Sequence, residues 1–402
     1  MKVLLIHNQY KQSGGEDAVF KSETDLLVNY GHQVDNLVYD NSVIETFSDK
    51  VISGLKVIYN SDTAHDLSLK IRDFKPDVIH VHNFLPLVSP SIFFVAKKWK
   101  IPVVLTLHNY RLICPSATLF CNGEIYEKSI NSVFPIDAIW KGVYRNSRIQ
   151  TAAVAVMTAV HNILGTWRND VSCYITLTEF AKEKILNSTL NIPEDKFIVK
   201  PNFAVDWGHG IEKRENYFLF IGRLTEEKGI RTVLNAAKSH KFKLMIIGDG
   251  PLKKLVEDAA LETPAISYLG YQSKWNVISY LKKCKALIFP SIWYEGFPLT
   301  IVEAFSTGAP VIASDLGSMS EIIQHEVNGL HFKPGDERDL ISKVIQITES
   351  DELAKRLSDH ARMSYTRLYT PEQNYAQLVG VYEKVLQQQE YFKPVMQTHS
   401  LT

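Results

Sequence analysis

Only four of the 402 residues are cysteine, namely Cys114, Cys121, Cys173 and Cys284. Thiols so sparse and so widely spread make no disulfide framework, and no second pair joins Cys114 and Cys121 to complete a zinc spacing. The chain also lacks any surplus of charge, with Lys+Arg and Asp+Glu equal at 44 each. A dedicated nucleic-acid binder carries a strong basic excess, so nucleic acid is excluded as the expected partner. Nowhere do about 20 apolar residues run together, the length needed to span a bilayer. The four apolar residues before His7 are too few for a signal core and suit a buried strand instead. The most apolar later segment, TAAVAVMTAVHNIL at 151–164, is also too short to span and includes His161 and Asn162. It reads as a buried or interfacial helix. No internal repeat and no low-complexity tract is evident, and the expected location is cytoplasmic.

What is present is an ordinary globular composition, 45% apolar and 22% charged, at a length that suggests two or three domains. Short apolar runs at 2–7, 34–39, 77–82, 102–108 and 173–178 alternate with helical patterns such as 16–30 and 91–99. Runs of Val, Ile and Leu separated by helices predict parallel strands buried on both faces. The second half repeats the theme with strands expected at 217–222, 244–248, 286–290 and 311–314, and helices at 229–239 and 299–306. The polar, glycine-bearing stretch 206–216 reads as the join between two doubly wound domains. A last helix is expected at about 372–388, followed by a disordered tail. Two such domains turn the carboxyl ends of their sheets toward one cleft, where ligands meet helix N-termini.

Several motifs fall at those strand ends. Gly14 and Gly15 precede Glu16 after the first strand; they suit an anion held at a helix start or a plain flexible turn. His80 and His82 share one strand face and suit a structural role, whereas His108, at the end of its strand, is expected in the cleft. No carboxylate or cysteine lies at a matching spacing, so no metal is expected. Gly222-Arg223 ends a strand and Lys228 opens the next helix, and two cations there suit a diphosphate. Glu295-Gly296-Phe297-Pro298-Leu299 leads from a loop into a helix that carries Glu303. Two carboxylates so spaced can accept hydrogen bonds from the hydroxyls of a sugar and a ribose. Glu303 has Ile301, Val302 and Phe305 as neighbours, so its charge needs a partner. Gly248-Asp249-Gly250 suits a phosphate loop or a tight turn.

Taken together, residues 1–385 resemble the retaining nucleotide-sugar glycosyltransferases of family 4. The likeness rests on GGE at 14–16, VHNFLPLVSP at 81–90, LTLHNYR at 105–111 and KPNF at 200–203, and further on FIGRLTEEKG at 220–229, the Glu295–Glu303 spacing and the ASDLGSMSEII that follows. It implies the α/β GT-B architecture, two Rossmann-like doubly wound parallel-sheet domains facing across a cleft. Residues 1–203 would bind acceptor, 204–370 would bind donor, and 371–389 would form a helix returning to the first domain, ahead of a tail at 390–402. It implies a hexosyltransferase that uses a nucleotide-diphosphate sugar as substrate, needs no cofactor or metal, and passes the sugar to a saccharide or lipid-linked acceptor in polysaccharide or glycoconjugate biosynthesis.

By the same resemblance, Arg223 and Lys228 neutralise the donor diphosphate, Glu295 holds the sugar with the 296–299 backbone, and Glu303 takes the ribose. His108 lies against the transferred sugar, Gly14 and Gly15 wall the phosphate and acceptor, and Gly222, Gly248 and Gly250 belong to the donor side. Asn109 stands where many relatives have Asp, and Phe203 where Gly is commoner. A sugar-nucleotide epimerase of the same fold is the alternative, but it usually lacks the paired glutamates. Lys97, Lys98 and Lys100 around Trp99, and Lys141, Arg145 and Arg148 beside Trp140 and Tyr144, are basic-aromatic clusters. They suit peripheral docking at the inner face of the plasma membrane or ordinary solvated helix faces.

Overall fold

The apolar runs of the first half assemble into one six-stranded parallel sheet of order β2-β1-β3-β4-β7-β8. Its strands are β1 (Lys2–Gln9), β2 (Gln33–Asp40), β3 (Val78–Val81), β4 (Val103–Leu107), β7 (Cys173–Thr176) and β8 (Phe197–Val199). A small hairpin, β5 (Phe120–Cys121) and β6 (Glu124–Ile125), stands apart from it. The second half forms a second parallel sheet of order β11-β10-β9-β12-β13-β14. Here β9 is Phe218–Ile221, β10 Leu244–Ile247, β11 Ile266–Tyr268, β12 Ala286–Phe289, β13 Val311–Ser314 and β14 Gly329–Phe332. This computed structural model describes residues 1–10, 14–41 and 56–391; most of the expected tail lies outside them.

The central strands β3, β4, β12 and β13 are buried along their whole length. That matches their largely apolar sequences and the helices covering both faces. The two doubly wound parallel-sheet domains are thus as expected. Strands β8, β11 and β14 were not expected: each has only three or four residues, all three lie at a sheet edge, and their patterns are too short to stand out.

In each sheet the chain order reverses beside a central strand, between β1 and β3 in the first and between β9 and β12 in the second. Loops leaving such neighbouring strands part in opposite directions and open a crevice at their carboxyl ends. The segment between the domains has no helix or strand but is strapped to the second one. Arg214 donates to the carbonyls of Leu281, Lys282, Cys284 and Thr307, and Arg362 holds Asp206 through two 2.7 Å bonds. Across the domains, Glu321 accepts from the backbone N–H groups of Glu179 and Phe180, both at 2.9 Å. Its carboxylate thus meets the exposed amides at the start of the helix Glu179–Leu186.

The last helix, Pro371–Tyr391, begins with proline, whose missing N–H costs nothing at a first helical position. Asn374, Leu378, Val381, Tyr382 and Val385 recur at helical spacing and are buried. That stripe returns to the first domain and packs with Val3, Leu5, Val78, Val104 and Ile175. Polar contacts fix its register: Tyr382 Oη lies 2.8 Å from His80 Nδ1, Tyr375 Oη 2.9 Å from His32 Nε2, and Asn374 donates to the Pro201 carbonyl. Leu378→Ala should therefore destabilise the protein by about 2–5 kcal/mol in urea unfolding. The exposed Glu383→Ala on the same helix should change it by less than about 0.5 kcal/mol.

Candidate functional site

A cavity of about 410 Å³ lies between the domains, at the carboxyl ends of both sheets. Its second-domain wall depends on a close approach of two loops. Gly229 adopts φ +67°, and a Cβ there would sit 1.8 Å from the Pro290 carbonyl oxygen, so only glycine fits. The Ile292 N–H also bonds the Glu227 carbonyl at 2.9 Å. This contact brings the loop after β9 against the loop after β12. Lys228 Nζ then reaches both oxygens of Glu295, at 2.7 and 3.0 Å, and Ser291 Oγ donates to the same carboxylate at 2.6 Å. The ammonium also lies 5.1 Å from the centre of the Trp293 ring. Arg223 lines the cavity, is exposed, and has no hydrogen-bond or ion-pair partner among the described residues.

The first-domain wall begins at the helix Gly15–Asn29. Asp17 fastens its start, accepting from the Gly14 and Tyr10 amides at 2.8 and 3.3 Å and lying 2.8 Å from His7 Nε2. Burial pushes the Asp17 carboxyl up, but the bonds from His7, Gly14 and Tyr10 together outweigh it and hold the group below its usual range. The helix start that could have faced an anion is thus partly occupied by the helix's own carboxylate. Glu16 lies in the cavity wall. Burial, only partly opposed by Tyr10 and Arg111, pushes its carboxyl up to about 7.

His108 follows β4, lines the cavity and is half-buried. Its Nε2 lies 3.1 Å from Nδ1 of the buried His82, and the rings stack. Burial, partly opposed by Glu23, pushes the His108 ring down to about 3, so it is neutral at physiological pH. Behind it Glu23, His80 and His82 offer three atoms within 4.8 Å of one another, a grouping of the kind that holds metals. Part of the set has partners within the protein, while Glu23 Oε2 and His82 Nε2 face each other at 3.4 Å without a hydrogen bond. Lys200 Nζ lies 2.6 Å from Glu23 Oε1, and both His80 nitrogens have hydroxyl partners, Tyr382 and Thr106, at 2.8 and 2.7 Å.

The domains meet at Gly296, where a Cβ would lie 2.3 Å from the His108 carbonyl oxygen. Of the expected site residues, Gly15, His108, Gly222, Arg223, Lys228, Glu295, Gly296, Phe297, Pro298 and Leu299 come together in this one cavity wall. Gly14, Gly248, Gly250 and Glu303 do not line it. Gly248 and Gly250 have φ +148° and +156° and press against the backbone of Gly222 and Leu224, shaping the loop that carries Arg223. Glu303 finds the partner its apolar surroundings call for in Lys274. Sequence reasoning passed over Glu16 as a site residue although the GGE motif contains it. It also missed Trp293 and Tyr294, whose signal was two aromatics directly before Glu295.

Residues 203–364 match the family described as glycosyl transferases group 1. This stretch, which holds the Arg223, Lys228 and Glu295 wall, is thus similar to a group 1 glycosyltransferase domain. Over a longer span, the chain is 27% identical across 330 residues to an uncharacterised 42.6 kDa protein in the cps region of Klebsiella pneumoniae, covering 80% of this chain and 79% of that one. It is 24% identical to the O-antigen chain mannosyltransferase C of Escherichia coli over 177 residues, 43% of this chain and 48% of the relative. The whole fold is similar to Anabaena HepE, solved in complex with UDP and glucose. There the TM-score is 0.66 at 16% identity, covering 95% of this chain and 99% of that one. The architecture is therefore GT-B, and the group 1 domain is its second half.

The raised Glu16 carboxyl has a consequence for stability. Its folded value of about 7 lies above its ordinary 4.5, so ionising it opposes folding as pH rises between those values, and fully so above 7. Glu16→Gln removes that opposition. Relative to wild type, the variant should gain on the order of 2 kcal/mol between pH 4.5 and pH 8.5, read by urea unfolding at both. An equal difference at the two pH values would contradict this account.

Proposed function

We propose that the protein is a retaining, metal-independent hexosyltransferase that moves a sugar from a nucleotide-diphosphate donor to a saccharide or lipid-linked acceptor in polysaccharide or glycoconjugate biosynthesis. One observation carries this reading: the unpartnered Arg223 and the Lys228–Glu295 pair face His108 across a single cavity. The group 1 domain and the resemblance to an O-antigen mannosyltransferase support it. Arg223 and Lys228 bind the donor diphosphate and stabilise its charge as it departs, the task a metal performs elsewhere. Glu295 accepts from the sugar's hydroxyls. Glu303 meets the ribose once its pairing with Lys274 is shared, and Glu16 holds an acceptor hydroxyl from the first-domain side.

In the chemical step the bond from the anomeric carbon to the phosphate oxygen breaks while the acceptor oxygen bonds the same carbon on the same face. The acceptor's proton passes to the departing phosphate. Retention follows without a glycosyl-enzyme intermediate, and trapping one on a side chain would refute this path.

No helix among the described residues is long and apolar enough to cross a membrane. A lipid-linked acceptor therefore calls for peripheral contact, for which the first domain offers Trp140 and Ile149, both well exposed, beside Lys141, Arg145 and Arg148 in the chain. Arg148 stacks on the Trp140 ring at 5.2 Å.

Calorimetry against UDP-, GDP- and ADP-sugars in the presence of a chelator tests the donor site. One nucleotide should bind selectively, and Arg223→Ala and Lys228→Ala should each weaken it by about 10- to 100-fold. Folded protein that binds none, or that converts the donor to its epimer without acceptor, would overturn the proposal. For the membrane, wild type should co-sediment with anionic liposomes, and the triple charge reversal at Lys141, Arg145 and Arg148 should not. Absence of wild-type binding would end that part.

A further inference from the structure

The hydrogen-bond chain behind His108 fixes where that ring carries its proton. Lys200 Nζ, almost wholly buried, lies 2.6 Å from Glu23 Oε1. The other carboxylate oxygen, Oε2, lies 3.4 Å from His82 Nε2, and neither of these two buried atoms makes a hydrogen bond, so each is the other's nearest polar counterpart. His82 Nδ1 in turn lies 3.1 Å from His108 Nε2. No hydrogen-bond partner for His108 Nδ1 is found among the described residues. The chain thus runs from a buried cation, through an anion and one imidazole, to an imidazole in the cavity wall.

Each neutral imidazole has one N–H and one lone pair. Between His82 Nδ1 and His108 Nε2 there is room for a single proton, so the two tautomers are coupled. If His82 carried its proton on Nδ1, its Nε2 lone pair would point at a buried carboxylate oxygen with no donor between them. If it carries the proton on Nε2, that N–H points at the anion, and Nδ1 accepts from His108 Nε2–H. The second arrangement turns an N–H, and not a lone pair, toward the carboxylate and gives the contact between the rings its one proton. Burial keeps both rings neutral, and Lys200, which lies close to them, reinforces it.

We infer that Glu23 and His82 are positioning residues that hold His108 with its proton on Nε2, so that Nδ1 presents a bare lone pair to the hydroxyl hydrogen of a molecule in the cavity. This rests on the proposed function only for what that molecule is. The ring then accepts from a hydroxyl and offers no N–H to a phosphate or carbonyl oxygen. A ligand that replaces that hydroxyl by hydrogen or a methyl ether leaves the lone pair unpaired and binds more weakly. The role needs an anion at position 23 and an imidazole at 82; a merely structural pair would leave the His108 tautomer free.

Long-range ¹H–¹⁵N correlation spectra of ligand-free protein labelled at histidine read the tautomer directly, with His82→Asn and His108→Asn used to assign the two rings among the 13 histidines. In wild type both His82 and His108 should show a protonated Nε2 and a bare Nδ1. In Glu23→Gln, Lys200 can only donate and so takes the amide oxygen, which turns the amide NH2 toward His82 Nε2. His82 should then move its proton to Nδ1, and His108 should flip to the Nδ1–H form. A wild-type His108 protonated on Nδ1 would overturn the inference. So would an unchanged His108 tautomer in a folded Glu23→Gln variant. Should that variant not fold, the wild-type spectrum still decides. No ligand is present, so failure here leaves the donor-binding result untouched, and failure of donor binding leaves the tautomer measurement standing.

Discussion

A buried ammonium on a buried carboxylate, Lys200 on Glu23, sits where the chain leaves the first sheet for the second domain. Taking two such charges out of water is costly, and their attraction offsets the cost only if both are well held. The pair is therefore poor evidence of extra stability. It is strong evidence of constraint, since removing either partner strands a charge in the interior. Much around it follows from that requirement. The helix Gly15–Asn29 must present Glu23 inward, which sets its rotation and brings Glu16 to the cavity. The segment after β8 must enter the interior before it can leave, and Asn374 of the last helix bonds the very next carbonyl, that of Pro201.

The opposite wall is built on proximity instead of burial. Gly229 lets two loops of the second sheet touch, and this sets Lys228 against Glu295 at the reversal point between β9 and β12. A cation held by a carboxylate in the cavity wall is already oriented and already has a polar partner. It can meet an anionic ligand with little rearrangement, which is how preorganised charge stabilises a developing negative charge. Arg223, which has no such partner, is the more available of the two. The domains touch at Gly296 and His108, so the histidine network and the cation wall belong to one cavity although they grow from separate cores.

Much of the fold was legible along the chain. The buried strands β1, β3, β4, β9, β12 and β13 are short, largely apolar runs, a local property that sequence shows directly. The edge strands β11 and β14 have only three and four residues, so their pairing depends on neighbours already in place. Site residues at strand ends, such as Arg223, Lys228, Glu295 and His108, were legible for the same reason: a strand's end is a local feature and its direction follows from the fold class.

The sequence by itself determined the alternation of strands and helices, the two-domain plan, and the chemical types gathered at the strand tips. Only the tertiary structure decided which of those groups meet. Lys200 and Glu23 are 177 residues apart, and Lys228 and Glu295 are 67 apart. Nothing in either neighbourhood signals its partner, because an ion pair depends on distance in space and not along the chain. Gly248 and Gly250 suited a phosphate loop or a tight turn, and they press on the backbone of Gly222 and Leu224; Glu303 needed a partner that its sequence neighbours do not name, and Lys274 is beside it. Glycine and glutamate fit many roles, and packing selects among them through the single close approach or opposite charge that each residue finds.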